Sequence, residues 1–397
     1  MNPSTQPEAS PLHTHSPNNV VSHAPIIWPD AQREQAFQVW LQSITPQYQL
    51  AAETLRPASA DASFRRYFRV DSVRIDCLNG SSLIIMDAPP AQENCKPFVD
   101  IARLMAQAGL QVPDILAWDE VQGFMLLTDL GAKTMMEVIN PQLSDDLAEP
   151  NFDLYMQAVD ALIDWQLASK PGVLPSYDEA LLRRELALFP DWYLAKHKGI
   201  TLDKTQQATL DNAFSLIVKR NLEVPSVYVH RDFMPRNLMV IEPKTADGKR
   251  SSQRSLGVLD FQDAVYGPIT YDIASLMRDA FLTWEEPFVL DITIRYWQKA
   301  VKVGLLGENS PSGWGADFGE FYRAVEWQAL QRHLKILGIF ARLTLRDGKP
   351  KYLADTPRFI NYVRKTADRY RELGPFLKLI DQIEGIETAM GFAYGRM

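Results

Sequence analysis

The stretch from residue 227 to residue 279 constrains this chain more than any other. It reads VYVHRDFMPRNLMV, then a polar interruption, then GVLDFQDAVYGPITYDIASLMRD. Val227 and Val229 lead as a strand into a tight loop over residues 230–236, and residues 238–241 lead out as a second strand. Residues 257–261 repeat the pattern as a short apolar strand carrying Asp260 at its end. The reading is a buried hairpin that holds Asp232, Asn237 and Asp260 on neighbouring loops. Asp and Asn also make ordinary hairpin turns, so residue types alone leave that simpler reading open.

The spacing favours chemistry. His230-Arg231-Asp232 is followed by four residues and then Asn237, the interval of a kinase catalytic loop. Phosphoryl transfer from a nucleotide needs one carboxylate to orient the accepting hydroxyl, and oxygen ligands to hold magnesium. Asp232 suits the first task and Asn237 with Asp260 the second, while His230 braces the loop. Asp263 is either a contact to the substrate, a further metal ligand or a turn-capping carboxylate. Asp272, just before an apolar helical run, reads as an N-cap or as a brace for the loop.

Nucleotide phosphates need positive charge and backbone amides facing that loop. The small-residue turn and strand ADASFRRYFR offer Ser63 to a phosphate oxygen, with Arg65 and Arg69 on one strand face. Exposed arginines are common, so these two also fit a solvated face. Thr128, Asp129 and Leu130 follow a buried strand and are placed to present backbone donors and acceptors to an adenine ring.

The 397 residues suffice for two lobes, and a 46% hydrophobic, 23% charged composition supports a real core. Forty-nine acids against 41 bases leave a net charge of −8, which disfavours nucleic acid and anionic membranes as partners. No run of 18 apolar residues spans a bilayer, and the first basic residue is Arg33, so no signal peptide is read. The two cysteines, Cys77 and Cys95, match no metal pattern, and the expected setting is a reducing cytoplasm. No obligate protein partner is evident.

In chain order, the first 24 residues are rich in Pro, Ser, Asn and His, the composition of a disordered tail; His13, His15 and His23 are too loosely spaced for a metal tract. A helix from Asp30 shows one stripe of Phe37, Trp40, Leu41 and Ile44 and gives way to strands after Pro46. Strands are expected at 48–56, 64–72, 82–86, 113–118 and 123–127, with a helix over 96–109. Helices then dominate: 156–168, 180–189, 206–220, 273–284, 289–302, 322–345 and 361–373. Trp327, Leu330, Leu334 and Leu337 form a core-facing stripe in the long one. The division is a tail over 1–28, a strand-rich nucleotide-binding lobe over 29–131 and a helical catalytic and substrate-binding lobe over 132–397, which suits a cleft-closing phosphotransferase.

The segments HRDFMPRN, LDFQDA, YDIASLMRD and LLTDLG together resemble the aminoglycoside phosphotransferase and choline kinase superfamily. SFRRYFRV, MDAPP and QRHLKILGIFARL resemble one branch of it, the bacterial anomeric kinases of N-acetylmuramate and N-acetylglucosamine in cell-wall recycling. The resemblance covers residues 30–395 and implies an α+β, protein-kinase-like, two-lobed fold. It further implies ATP and Mg2+ as cofactors, an N-acetyl amino sugar as acceptor and an α-1-phosphate as product. In that scheme Asp232 is the base, Asn237 and Asp260 hold magnesium, and residues 128–130 form the adenine hinge.

Two departures stand out. The third strand ends Ile85-Met86-Asp87 where most relatives carry a phosphate-clamping lysine, and there is no G-x-G-x-x-G loop. Two other readings stay open here: a kinase of the same fold acting on an aminoglycoside, choline or homoserine, and a nucleotide-binding pseudokinase scaffold.

Overall fold

The fold was analysed in a computed structural model that describes residues 26–60, 64–73, 82–139, 149–242, 255–307 and 313–387. The histidine-bearing tail, Ser63 and Cys77 lie outside these residues.

Five antiparallel strands form the N-terminal sheet in the order β1-β2-β3-β5-β4. They are β1 (Leu50–Ala60), β2 (Arg66–Ser72), β3 (Ser82–Asp87), β4 (Ile115–Asp119) and β5 (Phe124–Thr128). Alternation gives the sheet two faces. On the outer face Phe68, Val70, Leu83, Ile85, Phe124 and Leu126 pack under helix α1 (Ala31–Tyr48), through its expected stripe of Phe37, Trp40, Leu41 and Ile44. Ile26 and Trp28 also pack into this cluster. The inner face carries Tyr67, Ile84, Met86, Met125 and Leu127, which join helix α2 (Lys96–Gln107) in the larger core shared with the helical lobe.

Pro46 does not end α1. It sits in the last turn, and Gln49 closes the helix in the left-handed region, so β1 begins at Leu50, later than the sequence reading placed it. Asp87, at the third-strand position without lysine, points to the outer face and is fully buried between Arg33 and Arg66. That residue ties α1 to the sheet.

The helical lobe comprises α3 (Met135–Val138), α4 (Glu149–Leu167), α5 (Glu179–Leu188), α6 (Lys204–Leu222), α7 (Thr270–Met277), α8 (Glu286–Lys302), α9 (Phe318–Leu345), α10 (Thr356–Arg369) and α11 (Gly374–Glu384). Among the described residues no helix is long and apolar enough to cross a membrane. The strand-rich and helical halves thus match the α+β, kinase-like reading.

Three sequence readings need correction here. The strands flanking the 230–236 loop do not pair with each other: β6 (Ser226–Val229) pairs with β9 (Val265–Pro268), and β7 (Leu238–Ile241) pairs with β8 (Ser255–Val258). β9 was not foreseen, because its four residues, Val-Tyr-Gly-Pro, include a glycine and a proline and are too few to show alternation. The helix expected over 273–284 ends at Met277, since the Asp279 carboxylate accepts the N–H groups of Phe281 and Leu282 and folds the chain into a turn.

α9 is buried around nearly its whole circumference, not along one stripe. Gly338 lets it approach α5, because a Cβ there would lie 2.3 Å from the Leu188 carbonyl oxygen. At that crossing α5 continues as a π-helix, Phe189–Lys198.

Candidate functional site

The 230–237 loop is held from behind by buried polar groups. Asp272, in the first turn of α7, accepts the His230 N–H at 2.7 Å and the Arg231 N–H at 3.0 Å. It is a brace and not an N-cap, which settles the alternative left open above. Burial pushes its carboxyl up to about 6, against the pull of the His230 and Arg231 N–H donors and of the Arg332 cation. His230 is fully buried; its Nε2–H donates to the Leu259 carbonyl at 3.0 Å, and its Nδ1 accepts the Asp232 N–H at 3.2 Å. Burial lowers the imidazole pKa. Together these bonds select the neutral Nε2–H tautomer and lock Asp232 to the ring.

Arg231 and Asp260 have φ of 76° and 62°, the left-handed region that bulky residues seldom adopt. Both sites are over-determined by neighbours. The Arg231 carbonyl accepts from Arg332 of α9 at 2.7 Å, and its guanidinium pairs with Glu185 of α5. Glu185 is 5% exposed and also accepts from Lys335 at 2.8 Å, Gln331 at 3.0 Å and Tyr177 at 2.6 Å. Burial would raise its carboxyl, but the Lys335 and Arg231 cations outweigh that and hold it at about 2.

Asp232 itself is half-buried, and among the described residues no donor pairs with its carboxylate. Asn237 closes the loop: its amide nitrogen donates to the Asp232 carbonyl at 2.8 Å and to Asp260 Oδ2 at 3.3 Å. Both bonds use Nδ2, so Oδ1 is the atom left for a cation. Leu259 N–H donates to the Asn237 carbonyl at 2.9 Å, which fixes the two loops together. One amide oxygen and one carboxylate fit a hard divalent ion that draws its remaining ligands from phosphate and water. Among the described residues no cluster of three or more His, Cys, Asp or Glu forms a closed metal cage. Asp263 is exposed, and its carbonyl lies 3.4 Å from Arg231 Nη1.

The N-terminal lobe presents its arginines differently from one another. Arg69 donates to Asp129 at 2.6 and 3.1 Å and to the Gly131 carbonyl at 2.9 Å, and Asp129 also accepts from Ser82 and the Gly131 N–H. These bonds rigidify the link out of β5. Arg65 is 9% exposed and pairs at 3.1 Å with Glu93, just ahead of α2, and with the Tyr67 phenol. Thr128 is taken up with Asp114 through its N–H, at 3.0 Å, and its hydroxyl. Leu130 turns down onto Met239, Ile241 and Leu259, forming an apolar floor beneath the sheet. Gly257 permits this, because a Cβ there would lie 2.7 Å from Leu130 Cδ1.

Sequence reasoning missed Glu185, Arg332 and Lys335. A signal existed: Gln328, Gln331, Arg332 and Lys335 recur at helical spacing beside the apolar stripe of α9, a polar stripe in a helix without a solvent face.

Similarity to known proteins covers this stretch of the chain. The phosphotransferase enzyme family model matches residues 54–306. An N-acetylmuramate/N-acetylglucosamine kinase of Pseudomonas aeruginosa is 47% identical over 90% of this chain and 99% of its own. One of the same name from Neisseria meningitidis is 42% identical over 91% of this chain and all of its own. Among solved structures, ADP-bound aminoglycoside phosphotransferase APH(2'')-Ib aligns with a TM-score of 0.52 at 12% identity, over 84% of this chain and 97% of that one. Choline kinase from Cryptosporidium parvum gives 0.53 at 12% identity, over 87% and 99%. With the catalytic-loop spacing, the two-lobed fold and near full-length relatives in agreement, this chain belongs to the phosphotransferase enzyme family.

Proposed function

We propose that this protein transfers the γ-phosphoryl group of ATP to the anomeric C1 hydroxyl of N-acetylmuramate and N-acetylglucosamine, in the cytoplasm, as a step in peptidoglycan recycling. The observation that carries the reading is near full-length similarity to relatives of that name, joined to the Asp232–Asn237–Asp260 geometry. In the reaction Asp232 accepts the proton of the C1 hydroxyl as its oxygen bonds to the γ-phosphorus. The bond from that phosphorus to the β,γ-bridging oxygen breaks, and ADP departs with the electron pair. Asn237 and Asp260 would hold magnesium, which when bound neutralises phosphate charge. Leu130, Met239 and Ile241 would form the floor for the adenine, and the backbone of Asp129 and Leu130 its edge, since the Thr128 N–H and hydroxyl are engaged with Asp114. Asp263, exposed on the second loop, would contact the acceptor.

Arg65 takes the place of the absent third-strand lysine. It lies on the inner face with Tyr67, and Glu93, just ahead of α2, orients it. Arg69 is committed to Asp129 and braces the hinge instead. Changing Arg65 to Ala should raise KM for ATP and lower kcat/KM by about 10²-fold, with Arg65→Lys retaining more. Steady-state kinetics with ATP varied would test this, and unchanged ATP kinetics in Arg65→Ala would remove the clamp role.

The function is tested by following ADP release with magnesium, ATP and a panel of sugars, choline, homoserine and kanamycin. Turnover of the two N-acetyl amino sugars is expected. Turnover of only the cationic alcohols would replace the reading with another kinase of this fold.

A further inference from the structure

The two proposed acceptors differ by one group, and among the described residues the catalytic loop carries a cation placed to read it. N-Acetylmuramate carries a lactyl ether whose carboxylate N-acetylglucosamine lacks. An enzyme that accepts both needs a cation beside the acceptor that stays satisfied when no carboxylate arrives. Arg236 meets that description. It lies between Asp232 and Asn237 in the same loop, in the 3₁₀ turn Pro235–Asn237. It is exposed, and among the described residues it enters no ion pair, whereas Arg231, Arg278 and Arg358 are paired with Glu185, Glu286 and Asp355.

Its guanidinium instead lies 4.8 Å from the ring centre of Phe281. That ring is held in place. Asp279 accepts the Phe281 N–H, Arg358 donates to the Ala280 carbonyl at 3.0 Å, and Phe340 packs at 6.3 Å between ring centres. A guanidinium that rests over an aromatic ring through a cation–π contact spends no hydrogen-bond donor on it and keeps its N–H groups for a planar carboxylate, which it can take bidentately.

We propose that Arg236, held over Phe281, is the specificity residue that binds the lactyl carboxylate of N-acetylmuramate. This rests on the acceptor class proposed above. The test measures kcat/KM for both sugars in wild type, Arg236→Met and Arg236→Lys. Losing a charge-assisted bidentate contact should cost N-acetylmuramate about tenfold or more in Arg236→Met, with most of the loss in KM. N-Acetylglucosamine should fall by less than about threefold, and Arg236→Lys should recover part of the difference. Raising the salt concentration should weaken wild-type activity on N-acetylmuramate selectively. Parallel losses on both sugars, or none on either, would overturn the assignment while leaving the proposed function standing. Wild type inactive on both sugars would overturn both.

Discussion

Replacing Asp232 by Asn is expected to lower kcat by about 10³-fold, within the range a positioned general base supplies. The substitution is nearly isosteric and keeps an acceptor oxygen, but it removes the negative charge and the ability to take a proton. Folding should be unaffected, because no donor among the described residues depends on that carboxylate; the Asp232 N–H and carbonyl, which His230 and Asn237 bind, are retained. ATP affinity should be little changed as well, since the nucleotide contacts proposed above (Arg65, residues 129–130, Met239 and Ile241, and the magnesium positions Asn237 and Asp260) do not include the Asp232 carboxylate. Rapid-quench measurement of phosphoryl transfer, with a nucleotide-binding titration and a thermal melt on the same preparation, separates these effects. A variant as active as wild type would show that another group takes the proton.

The second large effect concerns stability. Glu185→Gln should destabilise the protein by about 3–5 kcal/mol, the usual consequence of leaving a buried charge unpaired. Its carboxylate faces Lys335 and Arg231, and the amide would leave both cations without a counter-charge. A fall in Tm of about 4–6 °C follows for a chain of this length. The pH dependence has a definite sign. The folded-state value of about 2 lies below the ordinary 4.5, so the stabilisation is complete above pH 4.5 and is lost as pH falls towards 2. The difference between wild type and variant should therefore be largest near neutrality and shrink progressively below pH 4.5. Equal melting temperatures at pH 7 would show that the network contributes nothing net.

What was legible in the sequence was local. Asp232 and Asn237 sit within one run of eight residues, and α1 and the strands of the first sheet announce themselves by period. The partners of these elements were not legible. β6 and β7 look like the arms of a hairpin, yet each takes its partner from the segment after the polar insertion, because pairing is decided by tertiary register and not by adjacency. Arg231 reaches Glu185 across 46 residues, and Lys335 reaches it across 150. The apolar stripe of α9 is visible in the sequence, but the burial of its charged residues Arg332 and Lys335 depends on the lobe that closes around them. Asp279 shortened α7 through a turn that competes with helix using the same residue types. The missing third-strand lysine was visible at once, whereas its proposed substitute emerged only when β2 and the approach to α2 were brought together.

The most direct measurement is the position of the transferred phosphate. Wild-type protein incubated with ATP, magnesium and N-acetylmuramate should yield a product whose phosphorus couples to the anomeric proton in a two-dimensional 1H–31P NMR spectrum. That product should also have lost its reducing end. A phosphate coupled to the C6 protons with the reducing end intact, or no phosphosugar at all, would contradict an anomeric amino-sugar kinase.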